Sequence, residues 1–318
     1  MPAILLTGSE GNLGSYLRAS VSAAFPRARI IRVARRPADG LPADVHIGDL
    51  RDAQFVSGLF KKEDIGYVIH AAAQTYNAIG FKKNAYGLMA HETGMLTTLL
   101  DHASSVKKLV YLSSALVYES SEEAPFTEDL TARIPAPRSS YGLSKFYGEK
   151  LVEAFHAQHG VPYTIWRPFN IVSPLEPHLQ EGGHVFVDFY RKLFVEHQET
   201  IEIFGSGDQV RCFTWVEDVA DAMARFLADP RTDNQVFNIG SGEQKTLRDL
   251  CAAMVEIGVQ EGLLPQGYAP QIESGGTFSG VDTQRRVPSL LKIEQALGWN
   301  AATSFRDCFT NFIRDKSS

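Results

Sequence analysis

Short runs of apolar and β-branched residues recur along the first half of the chain, and a stretch with helical periodicity follows most of them. The runs 3–7 (AILLT), 29–34 (RIIRVA), 44–48 (DVHIG), 67–72 (YVIHAA), 108–114 (KLVYLSS) and 162–167 (PYTIWR) read as strands. Helical patterns lie between them at 12–25, 52–61, 84–103 and 141–159. Most of the strand runs are apolar along their length, not on alternate positions, as expected of strands covered on both faces. Parallel neighbours need crossover connections, and the alternation supplies them. The prediction is an α/β fold: a Rossmann-type doubly wound parallel sheet with helices on both sides.

After residue 168 the texture changes. RPFNIVSPLEPHLQEGG is rich in Pro, Gly and polar residues and predicts a long loop. A helix near 184–197, a strand at 201–204 and the glycine-rich FGSGDQ follow. The segments 213–228 and 235–240 resume helix and strand patterns that can return to the first sheet, and helices are expected at 246–257, 289–297 and 303–315. The expected organisation is a main domain over 1–167, with 213–240 returning to it. A smaller interleaved domain, a lid, comprises 168–212 and 241–318.

Composition narrows the classes. The chain has 318 residues, 44% hydrophobic and 21% charged, enough for a large core. A net charge of −6 without a long basic run argues against a nucleic-acid binder. Any anionic ligand must then be held by local donors. Cys212, Cys251 and Cys308 form no CxxC pair and no metal-type Cys/His cluster, so no metal site is expected and reduced thiols in a cytoplasm are the simple reading. No stretch is long and apolar enough to span a bilayer, and MPAILLTGSEGNLG lacks the basic start of a signal peptide.

Two local patterns carry chemistry. Gly8, Gly11 and Gly14 follow the first strand and open the first helix, with Asn12 and Leu13 inside the turn. That spacing allows a tight turn, close backbone approach to a pyrophosphate and a helix N-terminus aimed at it. The main domain is therefore expected to bind a dinucleotide. Where the second strand of such a domain usually ends in an acid for the adenosine ribose, this chain has Arg35 and Arg36. Two guanidinium forks suit a ribose 2′-phosphate and lean toward NADP; a solvated pair is the alternative, and Asp39 leaves NAD open. The second pattern is Tyr141 and Lys145 in SSYGLSKFYGEK, one helical turn apart on one face. An ammonium beside a phenol favours its ionised form.

With these features the chain resembles the extended short-chain dehydrogenase/reductase family, in its nucleotide-sugar epimerase, dehydratase and reductase branch. The likeness runs nearly end to end. TGSEGNLG is similar to the family's cofactor turn, and GDLRD to the segment where Asp49 and Leu50 would meet the adenine. HAAA, with Ala71, Ala72 and Ala73, resembles the strand end beside the nicotinamide. YLSSALVYES resembles the strand carrying the catalytic Ser or Thr, here Ser114 with Ser113 before it. RPFNIVSP looks like the RPxNxxGP loop and brings in Pro168 and Asn170, for which a structural turn is the alternative. FGSGDQVRCFTWVEDVA is similar to the substrate segment, with Arg211 toward the diphosphate and Arg285 as a second candidate. NIGSG and LGW also match. His91, Cys212 and Ser289 depart from it, standing where the family usually has Asn, Asp and Asp. His91 is read as a packed core residue.

The resemblance implies hydride transfer between a sugar carbon and NAD or NADP, with Tyr141 exchanging the hydroxyl proton, Lys145 supporting it and Ser114 orienting the sugar. It also implies a nucleotide-diphosphate sugar as substrate and a homodimer formed by the helices near 84–103 and 141–159. The leading expectation is a nucleotide-sugar epimerase, with a 4-keto sugar reductase or a dehydratase as the alternative. Ala115 and Leu116 follow Ser114 where dehydratases of this branch carry Asp-Glu. A cofactor-sensing regulatory protein is the non-enzyme alternative, and the presence of Tyr141, Lys145 and Ser114 together favours the enzyme.

Overall fold

The computed structural model describes residues 2–35, 45–74, 83–176, 184–275 and 283–316. Arg36 and Asp39, and residues 177–183 of the loop expected after 168, lie outside the described residues. In chain order the first elements are β1 (Ala3–Thr7), α1 (Asn12–Ala24), β2 (Ile30–Ala34), β3 (Val45–Ile47), α2 (Ala53–Lys62), β4 (Ile65–His70), α3 (Ala85–Leu100), β5 (Lys108–Leu112), α4 (Ser140–His159) and β6 (Tyr163–Pro168). There follow β7 (Ile171–Val172), α5 (Val185–Tyr190), β8 (Thr200–Phe204), β9 (Val210–Cys212), β10 (Thr214–Trp215), α6 (Val216–Arg225), β11 (Gln235–Ile239), β12 (Gln244–Thr246), α7 (Leu247–Gln260), β13 (Gln271–Gly275), β14 (Arg285–Arg286), α8 (Leu291–Leu297) and α9 (Phe305–Lys316).

The main sheet has seven strands in the order β11-β6-β5-β4-β1-β2-β3, all pairings parallel. From β1 the chain winds outward through β2 and β3, then returns to β4 on the other side and winds outward again. The C-terminal ends of β1 and β4 therefore flank the point where strand order reverses, which is where open α/β sheets bind ligands. Residues alternate strictly between the two faces: Ile4 and Leu6 join one apolar cluster, Ala3 and Leu5 the other. Both faces are covered, which explains the apolar strand runs.

The first cluster continues from Trp166 and Phe237 on the sheet to Phe186 of α5 and Phe305, Phe309 and Phe312 of α9. The C-terminal segments thus share one core with the sheet face. They also build small sheets of their own, β12-β9-β14 and β13-β8. Among the described residues no helix is long and apolar enough to cross a membrane, and Cys212, Cys251 and Cys308 are buried and unpaired.

Several boundaries differ from expectation for local reasons. The strand expected at 108–114 ends at Leu112, because Ser114 caps a 3₁₀ turn (Ala115–Tyr118) by accepting the Leu116 N–H at 3.1 Å. The strand expected at 67–72 spans 65–70, so Ala71–Ala73 already lie beyond the sheet. The helix expected over 184–197 ends as α5 at Tyr190 and continues as a π turn, Arg191–Val195. Phe213 and the short β10 precede α6, where a continuous helix from 213 was expected.

Candidate active site

The glycine turn is built by steric necessity. Gly8 has φ +72°, and a Cβ there would stand 2.7 Å from Ala72 Cα and N. At Gly14 a Cβ would stand 1.8 Å from the Gly8 carbonyl oxygen, so α1 starts directly on top of the turn. Gly11 closes the loop by donating its N–H to the Gly8 carbonyl at 2.9 Å. At the end of β1, the Thr7 hydroxyl accepts the Ala72 N–H at 3.3 Å and lies 2.9 Å from His70 Nδ1. The β1 and β4 ends are thereby locked together. His70 is pushed down to about 3 by burial and, secondarily, by the Lys145 charge, so it is neutral.

Around this turn the other sequence candidates fall in different settings. Leu13 and Leu50 are buried, Leu50 in the core with Val56 and Leu59. Asp49 is gripped by Arg51, whose guanidinium donates to both carboxylate oxygens at 2.6–3.2 Å. That hydrogen bonding holds the Asp49 carboxyl at about 2. Arg35 is exposed just past β2. Glu10, an acid inside the glycine turn, sits 3.6 Å from both Arg18 and Arg32, which compensate its charge.

Helix α4 carries Tyr141 and Lys145 toward the C-terminal end of β5. Ser139 caps it by accepting the Gly142 N–H at 3.0 Å, and is itself held by Glu119, which accepts from both its N–H and its hydroxyl. Lys145 Nζ is 5.7 Å from the Tyr141 ring centroid and 5.5 Å from that of Tyr111. The Tyr141 phenol is hydrogen-bonded to Ser114. So the three residues that the sequence singled out meet at one place, although Ser114 comes from a different element.

A fourth residue was not anticipated. Glu92 of α3 lies 3.1 Å from Lys145 Nζ, and both side chains are nearly fully buried, at 4% and 3% exposure. Its other oxygen accepts the Gln74 N–H at 2.6 Å. Burial alone would push the Lys145 ammonium down, but Glu92 and the Tyr111 and Tyr141 phenols outweigh it and its pKa is raised. The Tyr141 pKa is also raised: burial and Glu92 act against Lys145 and the Ser114 hydrogen bond. Sequence reasoning expected depression by Lys145, and Glu92 is one reason the balance differs.

Directly behind Ser114, the Ser113 hydroxyl donates to Glu149, which is paired with Arg167 through bonds of 2.8 and 2.6 Å. Ser113 therefore turns its side chain inward to a buried network. Pro168 ends β6, and Asn170, at φ +37°, donates its amide to the Cys212 carbonyl at 2.7 Å. The Asn170 side chain thus ties this turn to β9. His91, half-buried, approaches the Gly87 carbonyl of its own helix at 3.1 Å.

The strand register also re-sorts the arginines. Lys245 of β12, Arg211 of β9 and Arg286 of β14 pair on one cross-strand rung, and paired residues share a face. Arg285 is one residue off and belongs to the opposite face, where its guanidinium donates to Gln244 at 2.9 Å. Arg286, not Arg285, is the partner of Arg211.

A family model for the NAD dependent epimerase/dehydratase family matches residues 4–240 of this geometry. The chain belongs to that family. It is an NAD(P)-dependent enzyme of the extended short-chain dehydrogenase type. The curated relatives include GDP-L-fucose synthase 1 of Arabidopsis thaliana, 30% identical over 272 residues that cover 81% of this chain and 79% of the relative. They also include the dTDP-D-glucose 4,6-dehydratase of Homo sapiens, 27% identical over 80% of this chain and 73% of that one. Among solved structures, UDP-glucose 4-epimerase with UDP-glucose from Thermotoga maritima aligns with a TM-score of 0.83 at 25% identity, over 99% of this chain and 100% of that chain.

The residues present fit the cofactor of this family. At Gly8 a Cβ would meet Ala72 and at Gly14 the Gly8 carbonyl, so the turn and the start of α1 pack without side chains, as the tight turn and close helix packing of a dinucleotide site require. Asn12 Oδ1 is buried at the start of α1 without a hydrogen-bond partner among the described residues.

Proposed function

We propose that this enzyme is a nucleotide-sugar epimerase, of the 4-epimerase type, acting through Tyr141, Lys145 and Ser114. The observation that carries the reading is the convergence of the Ser114–Tyr141 hydrogen bond with the Lys145 ammonium at the end of β5. The glycine turn, with Asn12 and Leu13, would hold the cofactor, with Ala71–Ala73, Ser113 and Pro168 lining the strand ends. When bound, the nicotinamide supplies a hydride acceptor and donor. Ser114 hydrogen-bonds the reacting hydroxyl, and Tyr141, as a phenolate stabilised by Lys145, takes its proton and becomes the neutral phenol. Epimerisation then requires that the ketone present its other face before Tyr141 returns the proton. Elimination of water is disfavoured: Ala115 and Leu116 carry no acid, and the next carboxylate, Glu119, is committed to Ser139.

Residues 168–212 and 241–318 form the substrate-binding side in this reading. The Lys245–Arg211–Arg286 rung is suited to a diphosphate, because two guanidinium forks and an ammonium on one face match its oxygens. Arg286→Ala is expected to raise KM for the sugar nucleotide about tenfold or more, with kcat little changed, in steady-state kinetics. An unchanged KM removes Arg286 from the diphosphate site.

NADPH-dependent 4-keto sugar reduction is the second reading. It is favoured by exposed Arg35 at the end of β2 and by compensation of Glu10, the acid inside the glycine turn. One experiment separates the two: denature the purified enzyme, identify any released cofactor, and follow UDP-, GDP- and dTDP-sugars by NMR. Retained oxidised cofactor and an epimerised sugar support the proposal; consumption of added NADPH with a 4-keto sugar supports the second reading.

The free buried thiols suit a reducing cytoplasm. Helices α3 and α4 pack side by side and leave Tyr86 and Tyr147 exposed, which supports a homodimer formed through this helix pair. Light scattering after size exclusion is expected to give twice the chain mass, and Tyr147→Glu to shift it toward the monomer.

A further inference from the structure

We propose that Glu92 is a positioning residue of this site: from α3 it fixes the Lys145 ammonium and sets the pH at which Tyr141 releases its proton. The inference rests on the reading of Tyr141 and Lys145 as the proton-transfer pair, but not on which sugar is bound. Its basis is geometric. A buried ion pair is retained against the cost of desolvation only when further hydrogen bonds satisfy it. Glu92 has such a bond, since its second oxygen accepts the Gln74 N–H at 2.6 Å while the first meets Lys145 at 3.1 Å. Gln74 leaves the end of β4 just beyond Ala72, which backs the glycine turn. One carboxylate therefore ties α3, α4 and the cofactor-side loop to a single ammonium.

The groups facing Tyr141 define what this does. Lys145 comes from its own helix, Glu92 from α3, Ser114 from the end of β5, and Tyr111 of β5 lies 5.5 Å from the same ammonium. His70 of β4 stacks on Tyr111 with ring centroids 6.0 Å apart and is neutral. Glu149, held by Arg167, acts on Tyr111 from farther along α4. Without Glu92 the phenol would stand beside an uncompensated cation and ionise more readily. With Glu92 the pair is close to neutral, and the phenol keeps its proton in the ligand-free protein. Lys145 then serves first as a fixed hydrogen-bond donor, and release of the Tyr141 proton depends on positive charge added when the site is loaded.

The test is a spectroscopic titration of the ligand-free protein, following tyrosinate absorbance. The difference between each protein and its Tyr141→Phe counterpart isolates Tyr141. Glu92→Gln, which keeps the side-chain shape and an acceptor for Gln74, is expected to lower the Tyr141 midpoint by about 1 pH unit, a tenfold change in ionisation constant. Adding Lys145→Met to Glu92→Gln is expected to raise it again. If Glu92→Gln does not fold, Glu92→Asp, which moves the charge away from the ammonium, is expected to lower the midpoint by a smaller amount. The pH profile of turnover should move in the same direction, with KM nearly constant. A midpoint unmoved in Glu92→Gln, or in Glu92→Asp should that be the variant used, overturns the proposal while leaving Tyr141 as the proton carrier. A lowered midpoint in an enzyme whose Tyr141→Phe variant is fully active supports the electrostatic link and overturns the proton-transfer reading instead.

Discussion

Tyr141→Phe is expected to lower kcat by about 10²–10⁴-fold, the usual span for loss of a positioned acid–base group, and to leave KM near its original value. The substitution removes one oxygen and nothing from the fold. Helix α4 keeps its Ser139 cap, Lys145 keeps Glu92, and Ser114 keeps its bond from the Leu116 N–H at 3.1 Å. Only the proton path is lost. The direction of the pH dependence follows from the raised Tyr141 pKa: burial, the largest cause, favours the neutral phenol. Oxidation of a sugar hydroxyl needs the phenolate and should accelerate as pH rises toward the Tyr141 midpoint. Reduction of a ketone needs the protonated phenol and should slow above that midpoint. The variant should show neither limb, because no group takes the place of the phenol. Steady-state rates on an accepted sugar nucleotide, measured across pH, check both points. A variant with wild-type kcat, or one that keeps the same pH limb, would mean that the proton travels by another route.

What could be read in advance was whatever local sterics or periodicity dictate. The three glycines were legible because Gly8 and Gly14 admit no Cβ and Gly11 packs tightly on the Gly8 carbonyl, and the apolar strand runs because both faces of the sheet are covered. Tyr141 and Lys145 were legible because a helix fixes their spacing. Glu92 was not: within GLMAHETGMLTTLL it reads as one polar residue of an apolar helix, and its partner lies on another helix. The choice between Arg285 and Arg286 depends on register, and an adjacent pair of arginines has no face until β14 is aligned with β9. The end of β5 was misjudged because Ser113 and Ser114 look like strand residues. One hydroxyl instead caps a turn, and the other serves Glu149. Apart from the Ser114 cap, these are long-range pairings, and no local window contains both partners.

The Glu149–Arg167 pair carries the largest expected effect on stability. Both side chains are buried, at 0% and 2% exposure, and Arg167 donates to both carboxylate oxygens. Its remaining N–H groups donate to the Tyr118 hydroxyl at 2.6 Å, the Glu128 carbonyl at 2.8 Å and Thr131 at 3.2 Å. Tyr118 passes the chain on to Asn238 of β11 at 2.7 Å, and Asn238 returns to the Phe126 carbonyl at 2.8 Å. The network fastens α4 and the end of β5 to β6 and β11 directly behind Ser114. Glu149→Ala leaves a guanidinium that cannot deprotonate in the interior, so it should cost about 3–5 kcal/mol in denaturant unfolding. Arg167→Met should cost less, because the orphaned carboxyl can lose its charge by taking a proton. The sign of its pH dependence follows: that variant should approach wild-type stability as pH falls, and lose ground as pH rises and Glu149 must ionise unpaired. Glu149→Ala has no such escape, since Arg167 stays charged at every accessible pH. A Glu149→Ala protein within about 1 kcal/mol of the wild type would show that water or a neighbouring acceptor replaces the carboxylate, and that the pair is dispensable to the fold.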